Sequence, residues 1–349
     1  VEKILKKIVF YRFITALLLI ISLAGCQVGS RPRLRVSDYF GDPTGMRFPD
    51  PNDLGHHSLA PSHEEKLGML YTCKGGFIDL GHVREAADRT EYASQLVYNT
   101  LLRSRTSGTY RIIEPARYHL TISYPDQWRN MSWQQRKKIA RKVSISYGQY
   151  LAHTSLIWHE ILTWYGFASS GVFSENISAF SWEDTYSDVL GTRLAVMALN
   201  TANESYEDAM TRLIDETLRQ LDVQPAETAR KTKHAVQGKW FEGGYYFFVK
   251  MKERNLDVGL DDGFITPWLI PGICPDTVPQ DCPAPNPGTV LEKYGFKMRL
   301  QIEPLEFEKG KIYKAIGLNP SEYLRPSIHF REIIEQIRQE SRKREGGDS

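Results

Sequence analysis

The chain has 349 residues, 41% of them hydrophobic and 11% aromatic, with 44 Lys and Arg against 42 Asp and Glu. That apolar share supports a substantial core and excludes a mostly disordered chain. The near-balanced charge gives no electrostatic case for nucleic acid or for broad attraction to an anionic surface, so no nucleic-acid partner is expected.

The N-terminus reads as a targeting segment over residues 1–25. "VEKILKKIVFYRF" carries Lys3, Lys6, Lys7 and Arg12 against Glu2, and the apolar run "ITALLLIISLAG" stops at Cys26. The run is too short for a permanent spanning helix. A basic stretch, an apolar stretch and small residues before a cysteine form the pattern of a bacterial lipoprotein signal, and "LAGC" resembles the lipobox. The resemblance implies cleavage before Cys26, acylation of that residue and attachment to a membrane through its acyl chains, for which two lipid signals already suffice. Gln27, rather than an aspartate, follows the cysteine. By the sorting rule of enterobacterial lipoproteins this implies the outer membrane, with the domain in the periplasm or at the cell surface.

Residues 26–63 are expected to be a tether or an irregular wrap, because "FGDPTGMRFPDPNDLGHHSLAPSH" is rich in Pro, Gly, Asp and His without periodicity. His56, His57 and His63 are expected to be solvated. Residues 64–349 are expected to form one α+β domain. "HVREAADRTEYASQLVYNTLL" predicts a helix, and "TYRII" with "YHLTISY" a hairpin. The centre is helical. "SWQQRKKIARKV" leads into "SISYGQYLAHTSLIWHEILTWYG" as one bent helix with Gly166 as its stop, and a second helix begins at Ser181, capped with Asp184 three residues on. Two more helices follow in "SYEDAMTRLIDETLRQLDV" and "PAETARKTKHAVQGKW". "GGYYFFVKMK", "FKMRLQIEPL" and "KIYKAIGL" predict strands of a small antiparallel sheet, and "SIHFREIIEQIRQESRKRE" predicts a closing helix.

No Walker loop, no GxGxxG after a strand, no GxSxG elbow and no SxxK occurs, so nucleotide and serine-hydrolase readings have no starting point. "SLIWHEILTW" contains His159-Glu160, the dipeptide that opens the commonest zinc-hydrolase motif, with Thr163 where that motif has a second histidine. "DTYSDVLGT" resembles the glutamate helix of the thermolysin-type gluzincin peptidases. That resemblance implies a helical centre like the two metal-site helices of gluzincins, with zinc as the cofactor. His159 and either Asp184 or Glu183 would be ligands, Glu160 would take a proton from bound water, and Asp188 would steady a ligating histidine. Glu183 has the family's residue type and nearly its spacing from His159. Asp184 keeps the helical phase to Asp188 and is favoured, since a loop absorbs one residue whereas a helix does not absorb a shift of about 100°.

A hydroxyl is a poor zinc ligand, so a further ligand is expected in place of Thr163. His82 in "GGFIDLGHVREAAD" is the chosen residue, with Asp79 three residues earlier as its support. "GFIDLGHVREAAD", "HEILTW" and "FSWEDTYSDVLGT" together resemble a bacterial lipoprotein family catalogued as domain of unknown function 4056. The expectation is a lipid-anchored cell-envelope protein acting as a zinc-dependent, peptidase-like hydrolase on a protein, peptide or cell-wall substrate. The alternative is a non-catalytic envelope lipoprotein that binds a protein or cell-wall partner.

In an oxidising compartment, "CPDTVPQDC" predicts a Cys274 to Cys282 disulfide and leaves Cys73 as the odd thiol. For the anchor, the Cys26→Ala variant should not incorporate radiolabelled palmitate, whereas the unaltered chain should; label on the variant would refute acylation at Cys26.

Overall fold

A computed structural model describes residues 31–35, 46–167, 176, 178–243 and 250–346, and its centre is built from three helices that cross at short range. Helix α1, Leu80–Leu102, begins at Asp79, whose carboxylate accepts the backbone N–H groups of Gly81 at 2.6 Å and His82 at 3.4 Å. Helix α2, Trp133–Trp164, opens with a capping box: Ser132 accepts from Gln135 N–H, and Gln135 accepts from Ser132 N–H. It runs unbroken to Trp164, and Gly166 beyond it has φ 107°. Helix α3 is Asp184–Asn200.

Two glycines set how closely these helices approach. A Cβ on Gly148 of α2 would lie 2.3 Å from Ser94 Oγ and 2.5 Å from Ser94 N on α1, and one on Gly191 of α3 would lie 2.2 Å from Val83 O. Helix α1 is therefore pressed between α2 and α3 at two points where only glycine fits. Helices α4, Tyr206–Gln220, and α5, Ala226–Val236, extend the α3 side.

The strands are short, and the described strands pair with one another antiparallel. Strands β1, Met69–Thr72, and β2, Gly76–Asp79, form the hairpin that leads into α1. Strands β3, Ser107–Tyr110, and β4, Arg117–Ser123, form the expected hairpin, which β9, Lys297–Glu303, extends to three strands. Two-residue pairs β5–β6 (Phe241–Glu242 with Lys250–Met251) and β7–β8 (Phe264–Ile265 with Cys282–Pro283) complete the described strands. The architecture is a single α+β domain, as expected. One core cluster lies between α1, α2, the three-stranded sheet and α8, Pro326–Gly346; a second lies between α1, α3, α4 and the first hairpin.

Several expectations change. "KIYKAIGL" forms helix α7, Lys309–Ala315, rather than a strand, because helical phase lets Ile312 and Tyr313 be buried together; the short helix α6, Gly288–Tyr294, precedes β9. Ser181 does not cap α3 through its hydroxyl. That hydroxyl donates to Glu183 Oε1 at 2.5 Å, while Asp184 Oδ2 accepts Ser181 N–H at 3.0 Å. His57 is buried, with Nε2 3.1 Å from Asp88 Oδ1. Much of "GGYYFFVKMK", and Cys26 with the segment before it, lie outside the described residues.

The disulfide is also different. Cys73 and Cys274 are joined, with Cα atoms 5.5 Å apart, and Cys282 is the free, buried thiol. Closeness in sequence misleads here, because Cys282 sits opposite Ile265 on β8 and enters the cluster of α3 and α4, whereas Cys274 packs beside Met69 and Tyr71 on the other face of the first hairpin. Peptide mapping without reductant should recover Cys73 and Cys274 in one fragment, with Cys282 alkylated only after unfolding. The bond spans 201 residues, so replacing both partners with serine should cost about 2–5 kcal/mol in denaturant unfolding.

Candidate functional site

The close crossing of the three helices brings side chains from each into one buried centre. His82, in the first turn of α1, has Nδ1 3.0 Å from Asp188 Oδ1 and Nε2 3.5 Å from Asp184 Oδ1. Asp184 and Asp188 are one turn apart on α3, so both carboxylates meet the same imidazole. Glu160, on the facing side of α2, accepts the Phe180 N–H at 2.6 Å through Oε2. His153 lies two turns before Glu160 on the same stripe of the unbroken helix. The two line a cavity of about 10 Å³ with Asp188, Thr185 and Val258, which is room for about one water molecule.

The electrostatics are those of too many carboxylates for the cations present. Burial pushes up the carboxyls of Glu160, Asp184 and Glu183, the last to about 7; the charge of His82 opposes this at all three. Burial alone would lower His82, but Asp184 and Asp188 hold it well above the usual imidazole range. His153 is pushed down to about 4 by burial. Glu183, at the N-cap of α3, has one oxygen bonded to Ser181 and the other, Oε2, buried without a hydrogen-bond partner among the described residues.

These positions can be tested against a cation. His82 Nε2 and Asp184 Oδ1 have the separation expected of two ligands each about 2.0–2.2 Å from a tetrahedral zinc. The Asp188 carboxylate on the other imidazole nitrogen has the usual orienting geometry of a metal-binding histidine. Among the described residues no group of three or more His, Cys, Asp or Glu side chains is placed to hold a metal ion. The fit is thus a preformed pair, with Glu183 as the nearby carboxylate.

His159 does not join them. Successive helix residues are about 100° apart, so with Glu160 turned toward α3 its neighbour points elsewhere. His159 Nδ1 lies 3.2 Å from Glu114 Oε1, which is 2.9 Å from Arg89 Nη1, and its ring meets the edge of Phe167. Thr163 is buried on the same helix. Asp79 caps α1 through the backbone rather than bonding the His82 ring, and its own N–H donates to Ser187 Oγ at 3.0 Å. Of the residues expected at the site, His82, Glu160, Glu183, Asp184 and Asp188 are gathered around one centre. Glu114 lies in the hairpin turn, where no periodic pattern marks it in the sequence, whereas His153 is marked by its seven-residue spacing from Glu160.

A family model described as "Protein of unknown function (DUF4056)" matches residues 46–247. The match covers more than half of the chain and every titratable residue of the centre just described. No curated protein and no solved structure matches the chain. No described helix is long and apolar enough to cross a membrane.

The Arg89–Glu114–His159 group gives a pH prediction. Burial alone would raise Glu114, but Arg89 and the His159 hydrogen bond bring it down from 4.5 to about 2. A depressed carboxylate contributes stability above its unfolded value and loses it as the pH falls through the folded one, a contribution of about 3 kcal/mol. Glu114→Gln should therefore cost about 3–5 kcal/mol in urea unfolding at pH 7, where it leaves Arg89 with less buried countercharge. The difference from the unaltered chain should narrow at pH 3.

Proposed function

The chain belongs to the DUF4056 family, whose description names no activity, and from the geometry of the buried centre we propose that it is a metal-dependent hydrolase of the cell envelope. The observation that carries this reading is the imidazole of His82, flanked by Asp188 on one nitrogen and Asp184 on the other. His82 and Asp184 would hold a zinc ion, and Glu183, with its buried free oxygen, would complete the set. Such an ion, when bound, supplies a Lewis acid that polarises a carbonyl and acidifies water.

The chain's own residues do the rest. With an ion in place of the Nε2 proton, Asp188 would accept the Nδ1 hydrogen of His82 and keep Nε2 directed toward the Asp184 side. Glu160 is fixed by the Phe180 N–H and borders the water-sized cavity, so it is placed to accept a proton. Burial raises its basicity, which favours proton uptake. The lipobox-like "LAGC" supports attachment through Cys26 to the outer membrane, with a peptide, protein or cell-wall component as the substrate.

A second reading rests on the small size of the cavity. A non-catalytic envelope lipoprotein would keep His82, Asp184 and Asp188 as a buried ion triad and bind its protein or cell-wall partner elsewhere. Metal analysis after equilibration with zinc separates the two. The hydrolase reading expects about one zinc per chain, lost in His82→Ala and Asp184→Asn but kept in His159→Ala and Glu160→Gln. A chain that stays zinc-free, or one whose zinc depends on His159, would leave the scaffold reading in its place.

A further inference from the structure

The segment that supplies Val258 to the buried cavity also lines a larger and more open one, of about 340 Å³, which faces helix α8. That volume is within the range of small-molecule sites, about 300–1,000 Å³. Three arginines and three acidic residues line it, but they are not equivalent. Asp257 is committed to the backbone, accepting the N–H groups of Gly259 at 3.1 Å and Thr266 at 2.9 Å. Asp261 faces Arg331 at 3.2 Å and Arg338 at 4.0 Å, and Arg338 also donates through Nη1 to Glu335, one turn earlier, at 2.8 Å, so a bound carboxylate would share Arg338 with Glu335 through its other nitrogens. Arg254 is held by the carbonyls of Ala179 and Asn176, with its guanidinium 5.1 Å from the Trp164 ring centre. Arg342, one turn beyond Arg338 on α8, is exposed. The indole of Trp268 supplies an apolar wall, and Trp240 packs against it edge-to-face at 5.4 Å and 73°.

A wall with balanced charge disfavours a compact, multiply charged anion such as phosphate, which the acidic groups would repel. It suits a ligand with one negative group and many hydroxyls. A guanidinium pair matches a carboxylate in shape and charge, and an indole face packs against the apolar C–H face of a pyranose ring. We propose that this cavity binds a saccharide unit bearing a carboxylate, with its ring against Trp268 and its carboxylate on Arg338 and Arg342. The site is separate from the His82 centre and does not depend on metal binding there.

Isothermal titration of the purified protein with glucuronate, glucose, acetate and inorganic phosphate tests each part. Glucuronate, which has both ring and charge, should bind with Kd of about 1 mM or tighter, and the other three at least about tenfold more weakly. Trp268 packs on Trp240, so replacing it endangers the fold; the arginines on the solvent side of α8 carry the test instead. Arg338→Ala and Arg342→Ala should each weaken glucuronate about tenfold, the loss of a charge-assisted hydrogen bond, with an unchanged melting temperature. Equal binding of glucose would remove the carboxylate from the proposal, and equal binding of acetate or phosphate would remove the sugar. No heat with glucuronate at about 10 mM, or undiminished binding in the double arginine variant, would overturn it altogether.

Discussion

Helix α1 buries charge on several sides, and the elements around it are arranged to neutralise that charge. Arg84, Asp88 and Arg89 are each at most 1% exposed; the first two are answered from outside the helix, and Arg89 is shared between Glu85 one turn earlier, at 2.6 Å, and Glu114 outside it. Asp88 meets Arg35 at 2.6 Å and His57 at 3.1 Å, which ties residues 31–35 and the irregular stretch after residue 46 onto the helix. Arg84 donates to the Leu54 carbonyl at 2.8 Å from within that same stretch. Arg89 reaches Glu114 in the hairpin turn, and through it His159 on α2. His82 meets α3. Buried pairs of this kind add little net stability over an apolar substitute, but leaving one partner alone is costly, so they penalise any arrangement in which the partner is missing. The N-terminal wrap, the hairpin turn and α3 are held to α1 by that penalty as much as by apolar contact.

The same logic separates the two histidines that the sequence sets beside catalytic-looking acids. His159 makes its direct contact with one carboxylate, Glu114, which Arg89 already balances, and acts on Glu160 only by its charge. His82 faces two aspartates on α3, with Glu160 and Glu183 acting on the same region. There the negative charge exceeds what one protonated imidazole can offset, and burial keeps the excess carboxyls from ionising easily. Structural ion pairs tend toward closure, and a surplus of buried carboxyls with an unbonded oxygen is the local inconsistency that functional sites carry. The site and the stabilising network therefore share one helix but differ in charge balance.

Periodicity and caps made much of the fold legible. The central helices, the hairpin of β3 and β4 and the closing helix all follow from local rules, because each is decided by residues within a few positions of one another, whereas the Ser181 cap fails because its hydroxyl turns to Glu183. The short apolar alternation of "KIYKAIGL" fits a strand as well as a helix, and only packing of Ile312 and Tyr313 into the core chooses between them. The cysteine pairing is hidden for a related reason: seven residues of loop keep Cys274 and Cys282 near each other in sequence but on opposite faces of a hairpin-centred core.

By itself the sequence determined the α+β class, the three central helices and the phase that puts Asp184 and Asp188 on one face of α3. Those follow from repeat distances along the chain. Tertiary structure alone decided which histidine meets those carboxylates. The choice of His82 over His159 depends on how α1 is wedged between α2 and α3 at Gly148 and Gly191, and on the rotation of α2 that turns Glu160 inward and His159 toward Glu114. A helix's rotation about its own axis is set by everything packed around it, so it is written in no single stretch of residues.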